Sequence, residues 1–356
     1  MKTPIPLYKP YMPALPKLND ILNSGQLAYG SYTREFEEKL KKFFGTENLI
    51  VTNSFNTAIS VAVTALGLSF NDEVLASPMA CLASTQPYLS SGLQIRWADV
   101  DSRTGTLDPE SVRKRITPNT KAIIHNHYCG YPGYVDEINQ IGKEYGIPVI
   151  DDCIEAFGSE YKGKKLGAVG TDVTVFSLTA VRIPNCIDGG VVIFKDKELY
   201  EKSLLIRDCG IDRSRFRDSI GEISPECDIN LIGYSATMSN VNGYIGSCQM
   251  DKAAEVIERQ RVLAKKWDER LLQFPDICPL HQDFHNPNYW VYGILSSDKK
   301  QTILNFRERG YHASGVHINN NIYSIFGDCV ELPGTNEFYS HFVALPCGWW
   351  MENEDI

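Results

Sequence analysis

Two adjacent carboxylates, Asp151 and Asp152, close the apolar run Val149-Ile150. If that run is a strand, successive side chains point to opposite faces, so one of the pair can enter a pocket. The plainer alternative is that both cap the turn that follows. Further along, two apolar runs, 173–178 and 190–194, flank a loop that holds Ser177, Arg182, Pro184, Asp188, Gly189 and Gly190. A serine hydroxyl at a strand end can hold an anion or close a local backbone hydrogen bond. A guanidinium is a poor nucleophile and a poor proton shuttle. It can clamp a phosphate or carboxylate through two parallel hydrogen bonds. A third group lies at Ser54-Phe55-Asn56-Thr57, where a helix start offers free backbone N–H groups and Asn56 or Thr57 can add a side-chain donor.

The histidines give a weaker signal. His125 and His127 are two apart and share one face of a strand end, but neither a carboxylate nor a third histidine stands at a ligand-like spacing, so no metal is expected. His281 and His285 are four apart among Pro279 and Pro287, which reads as loop. Phosphate-cradling G-x-G-x-x-G and P-loop patterns and a nucleophile elbow are all absent from the sequence.

Positioning these groups falls to an alternation of short apolar runs and amphipathic segments. Helices are expected over 15–23, 33–44, 56–66, 82–89, 109–116 and 135–145. The intervening strands fall at 49–52, 73–76, 94–98, 121–125 and 148–150. This pitch implies βαβ units and a mostly parallel sheet covered on both faces, with functional groups at the carboxyl ends of its strands. A helix over 198–207 leads into the polar stretch 210–228. A long helix over 242–274, a strand over 289–295 and a helix over 299–309 complete the reading. The fold class is therefore α/β, a three-layer sandwich, with a large domain over 1–240 and a smaller C-terminal α+β domain over 241–356 entered by the long helix. The chain stops at Glu354-Asp355-Ile356, where one further helix is expected.

At 356 residues the chain can bury a large core, and its 43% apolar and 22% charged content is ordinary for a globular protein. A net charge of −9 argues against nucleic acid or an anionic membrane as principal partner. With no leader and no long apolar span to read, and ten scattered cysteines without a CxxC pair, reduced thiols and a cytoplasmic location are expected.

The segment from Val149 to Gly167, the loop around Arg182 and the end Leu345-Pro346 together resemble the DegT/DnrJ-type sugar aminotransferases, fold type I enzymes that use pyridoxal phosphate. The likeness extends from Ile5-Pro6-Leu7 through Asn71-Asp72-Glu73-Val74 and Trp97-Ala98-Asp99-Val100-Asp101. It also makes His127 and Asp136 fold positions. On that match Asp152 is the partner of the pyridinium nitrogen, and Glu155 stands where a glutamine contacts the ring hydroxyl. Ser177, Asn56 and Thr57 fall at the cofactor phosphate, and Cys81 replaces the aromatic that stacks on the ring. Ser235 stands where an asparagine reaches the phosphate from the partner subunit. Arg182 occupies the position of the Schiff-base lysine. Phe55 and Ile187 are further departures, and losing a glycine at Phe55 is expected to restrict close approach of a phosphate.

The resemblance implies pyridoxal or pyridoxamine 5′-phosphate, non-covalent if bound. It also implies a keto-sugar nucleotide and an amino donor as small-molecule partners, in polysaccharide or glycoside biosynthesis, and a homodimer. Two readings stay open. One is a transaminase or lysine-independent sugar enzyme; the other is an inactive or regulatory homologue paired with an active paralogue. A third, lowest-ranked reading has the pocket bind a sugar nucleotide without cofactor, with Arg182 on an anion.

Overall fold

The computed structural model describes residues 4–280, 285–327, 329–352 and 355–356. Its first half alternates α1 (Leu18–Asn23), α2 (Ser31–Phe44), β1 (Leu49–Thr52), α3 (Phe55–Ala65), β2 (Glu73–Ala76), α4 (Leu82–Ser90) and β3 (Gln94–Trp97). Then come α5 (Pro109–Arg115), β4 (Thr120–Asn126), α6 (Val135–Tyr145), β5 (Val149–Asp152) and the two-residue strands β6 (Glu160–Tyr161) and β7 (Lys164–Lys165). The remainder is β8 (Val173–Ser177), β9 (Gly190–Phe194), α7 (Lys197–Ile206), α8 (Asn240–Leu271), β10 (Ile277–Pro279), β11 (His285–Asn286), β12 (Tyr292–Ser296), α9 (Lys299–Glu308), α10 (Pro333–His341) and β13 (Phe342–Leu345).

Seven strands form the central sheet in the order β1-β9-β8-β5-β4-β2-β3. The run from β8 to β3 is parallel throughout, and β9 alone opposes its neighbours β8 and β1. Alternation along the strands feeds two apolar layers. Ile50, Ile124, Ile150, Val175 and Val192 pack on one face beneath Phe55, Ala58 and Ala62 of α3. On the other face Val51, Phe176 and Val191 meet Phe36, Leu40 and Phe44 of α2, while Ile123 and Val149 meet Ile138 and Ile141 of α6. The spacing of Phe36, Leu40 and Phe44 places one stripe of α2 against the sheet, which is why this charged segment is a helix. A separate antiparallel sheet, β10-β12-β13, is built over Trp267, Phe306, Phe338 and Phe342.

Two departures from the sequence reading have local causes. The strand expected over 289–295 begins only at Tyr292, because Tyr289 adopts a φ of 51° and turns the chain. Helix α10 was absent from the reading because its cap is tertiary. The Asp99 carboxylate accepts from the Gly334 and Thr335 N–H groups at 2.8 and 2.7 Å. Among the described residues no helix is long and apolar enough to cross a membrane.

Candidate active site

The parallel strands β4, β5 and β8 deliver Asn126, Asp152 and Ser177 at the carboxyl edge of the sheet. Asp152 is wholly buried. Its Oδ2 accepts from the Asn126 amide at 3.2 Å and its Oδ1 from the Ile154 N–H at 3.0 Å. Burial pushes its pKa up to about 6; the neighbouring Ser84 hydroxyl, the Ile154 N–H and the Asn126 amide offset this only in part, and the charge of Glu155 adds to it. The strongest influences on it, among the described residues, include no cation.

Asp151 points to the opposite face, as alternation requires, and there meets the two histidines. His125 Nδ1 lies 3.1 Å and His127 Nε2 3.3 Å from the same Asp151 oxygen. The adjacent strand β5 therefore supplies a carboxylate that no spacing in the sequence announces. The three groups offer ligand atoms within 4.8 Å of one another, all buried. His127 Nδ1 accepts from the Gly133 N–H at 3.0 Å, which fixes its proton on Nε2 toward Asp151. Burial alone would raise the Asp151 carboxyl, but His127 and His125 outweigh it and hold it well below the usual carboxylate range. This cluster ties β4 to β5 behind Asp152. His281 lies outside the described residues, and His285 pairs in β11 with Tyr161 of β6.

Glu155 is buried and joins three partners. Its Oε2 accepts from the Cys129 N–H at 2.8 Å, and its Oε1 lies 2.8 Å from His317 Nε2 and 3.5 Å from Arg182 Nη2. Burial would raise its carboxyl, yet His317, Arg182 and the Cys129 N–H together hold it below its ordinary value. Arg182 is 6% exposed, and its guanidinium carbon lies 4.4 Å from the centre of the Trp290 ring. Among the described residues its Nε and Nη1 find no hydrogen-bond acceptor. The cavity lined by Glu155, Ser177, Arg182 and Trp290 has a volume of about 10 Å³, space for one water.

The other predicted positions gather around the same edge. The Ser177 hydroxyl lies 3.0 Å from that of Thr179. Ser54 and Thr57 form a reciprocal capping box at the start of α3, and Asn56 is exposed beside it. The Phe55 ring turns into the core and is 3% exposed. Cys81 is partly buried and packs against the core beneath α3. Burial raises its thiol pKa, with Glu155 and Asp152 adding and Arg182 opposing, so it stands within reach of all three charges. Ser235 is exposed, and its carbonyl accepts from Asn53 of the same chain at 2.9 Å. Lys162 pairs with Asp136, Lys195 lies 3.9 Å from Asp172, and Lys165 lies over Phe43, so none replaces the missing amine.

A family model for DegT/DnrJ/EryC1/StrS aminotransferases matches residues 13–356. The chain belongs to the DegT/DnrJ/EryC1/StrS aminotransferase family. Within this family's reach it is 32% identical over 349 residues to the uncharacterized protein MJ1066 of Methanocaldococcus jannaschii, covering 95% of this chain and 90% of that one. The sugar aminotransferase CalS13 from Micromonospora echinospora superposes with a TM-score of 0.91 at 28% identity, over 99% of this chain and 96% of that one. The putative sugar aminotransferase Spr1654 from Streptococcus pneumoniae, in its PLP-form, gives 0.87 at 21% identity over 99% and 95%; it is also known in a PMP-form. Fold and family are thus those of a sugar aminotransferase, and pyridoxal and pyridoxamine phosphate are the cofactor forms found on this fold.

Sequence reasoning missed Trp290, His317, Asn126 and Asn288. Asn288 spends its amide on the carbonyls of Glu155 and Phe157, and its Oδ1 accepts from the Trp290 N–H. The polar run His317-Ile318-Asn319-Asn320-Asn321 was the one legible signal, and nothing local connects it to Glu155.

Proposed function

We propose that this family member binds pyridoxal or pyridoxamine phosphate without a covalent bond and acts on a nucleotide-linked keto-sugar with an amino donor. Asp152 carries the reading. A buried carboxylate whose pKa is pushed up to about 6, with amide donors but no cation beside it, is a site made for a cationic ring nitrogen. The fit is partial in one respect, because Arg182 offers no amine for covalent attachment. For reversible holding the donor set suffices: Asp152 for the ring nitrogen, Asn56, Thr57 and Ser177 for the phosphate, Glu155 near the ring hydroxyl and Cys81 over the ring face. When bound, the group supplies an electron sink to the substrate carbon.

The chain's own residues must then replace what a lysine would do. A guanidinium holds charge in place and is a poor proton shuttle. An imidazole can carry a proton, and His317 supplies one. Ionised Glu155 fixes the proton of Nε2 at 2.8 Å and leaves Nδ1 as the nitrogen that takes or gives one. Glu155 in turn is held by the Cys129 N–H. We extend the reading to a homodimer in which Ser235 reaches the partner's phosphate site, to polysaccharide or glycoside biosynthesis, and to a reducing, cytoplasmic setting consistent with ten free cysteines.

A second reading, an inactive homologue that dimerises with an active paralogue, draws support from the Arg182 side chain already resting on Trp290 and Glu155. Equilibrium dialysis of pyridoxamine phosphate against the wild-type protein and Asp152→Asn separates the two. The enzyme reading expects uptake that the substitution removes; a wild-type protein that takes up none supports the paralogue instead.

A further inference from the structure

Backbone strain gathers around Glu155. Among the described residues, seven besides glycine have a positive φ, and three of these adjoin the Glu155 cluster. Cys129 (φ 55°) gives Glu155 its N–H, Tyr289 (φ 51°) precedes Trp290, and Val316 (φ 58°) precedes His317. Val316 is the most strained of the three, because a β-branched side chain crowds its own backbone in this conformation. Glycine would adopt it freely, yet the glycine stands one residue earlier. A Cβ on Gly315 would come within 2.9 Å of Lys299 Nζ, so packing demands glycine there and leaves the positive φ to Val316.

The segment is anchored at both ends. Ser314 exchanges backbone hydrogen bonds with Ala344 of β13 at 3.1 and 2.7 Å. Asn320 donates its N–H to the Pro78 carbonyl at 2.8 Å and its amide to the Thr85 hydroxyl at 3.0 Å. Between these anchors His317 Nε2 reaches Glu155 at 2.8 Å. We propose that residues 315–319 form a strap that pivots at Val316, and that strain there favours an open state in which His317 has left Glu155 and the cofactor is admitted. Opening gives up one hydrogen bond to a charged group and returns Val316 to negative φ. The two effects are of similar size, so both states are populated. The inference rests on the pocket being the cofactor site proposed above.

The test labels the histidine rings with ¹⁵N and follows chemical exchange at His317, assigned by its loss in His317→Gln. Wild type should show a minor state, and Val316→Ala, which keeps a crowded Cβ, should retain it. Val316→Gly should lower its population about tenfold, because glycine holds a positive φ without strain. At an unstrained turn glycine would loosen the segment instead, so the sign decides. Val316→Asn tolerates positive φ and keeps a side chain; it should act as glycine does, and it replaces the glycine variant if that one fails to fold. Wild type without exchange at His317, or a glycine variant that opens as much as the alanine variant or more, overturns the proposal. Stopped-flow binding of pyridoxamine phosphate supplies the second arm. Its association should slow about tenfold in Val316→Gly, and an unchanged rate would also overturn the proposal. The expected exchange in protein that takes up no pyridoxamine phosphate keeps the moving strap and removes the cofactor reading; uptake without exchange does the reverse.

Discussion

Arg182 lies over the Trp290 ring, its guanidinium carbon 4.4 Å from the indole ring centre, at the position where the family's sequence pattern calls for a lysine. The pair joins a loop after β8 to the segment before β12, so it links the central sheet to the smaller one across the pocket. Trp290→Leu removes the ring face and, from the strength of a partly desolvated cation–π contact, should destabilise the fold by about 1–2 kcal/mol beyond the lost apolar area. Denaturant unfolding of the single and double substitutions with Arg182→Gln checks this. Additive losses would show that the two residues do not couple.

Asp152 carries the clearest pH signature. Its pKa rises from 3.8 unfolded to about 6 folded, so the native state holds its proton more tightly. Stability contributed by the protonated form is complete below pH 4 and is lost as pH rises through 6, a difference of roughly 3 kcal/mol. Asp152→Asn should therefore stabilise the cofactor-free protein at pH 8 and have little effect near pH 4, while abolishing cofactor uptake. Urea titrations of both proteins at the two pH values test the sign. A variant less stable at pH 8 would contradict it.

These two residues also mark how far the sequence could be read. Asp152 and Ser177 were legible because each ends an apolar strand, and strand ends on one edge of a parallel sheet meet. The central sheet was legible for the same reason, its strands being short, apolar and separated by amphipathic helices. Trp290 and His317 were not, since they reach Arg182 and Glu155 through loops whose course depends on Tyr289 turning and on Asn288 binding distant carbonyls. The His125–Asp151–His127 cluster was half legible. Both histidines were noted, but their carboxylate comes from the next strand and no spacing announces it.

Glu155→Gln tests the mouth of the pocket. It leaves Arg182 buried without its counter-charge and deprives His317 of an ionised acceptor. Breaking one side of such a buried pair should cost about 3 kcal/mol. The same change should lower any proton-transfer step far more than it lowers cofactor affinity. Unfolding curves together with pre-steady-state traces distinguish this from a purely structural loss, in which rate and affinity would fall alike.

Gly130 is held at a φ of 90°, and a Cβ there would lie 2.1 Å from Asn288 Oδ1 and 3.0 Å from the Glu155 carbonyl. Gly130→Ala must therefore displace Asn288, the residue that seats Trp290. The expected cost is roughly 2–3 kcal/mol, from strain and a broken buried hydrogen-bond set. A shift of the Trp290 fluorescence should accompany it. Wild-type stability in this variant would mean that Asn288 is free to move.

The most direct test of a cofactor-competent pocket without a lysine is absorbance after gel filtration of pyridoxal-phosphate-loaded protein, comparing wild type with Arg182→Lys. The account predicts that wild type takes up the cofactor during loading and releases it on the column, whereas Arg182→Lys emerges coloured by covalently held cofactor. A wild-type protein that never takes it up, or an Arg182→Lys variant that stays colourless, would contradict it.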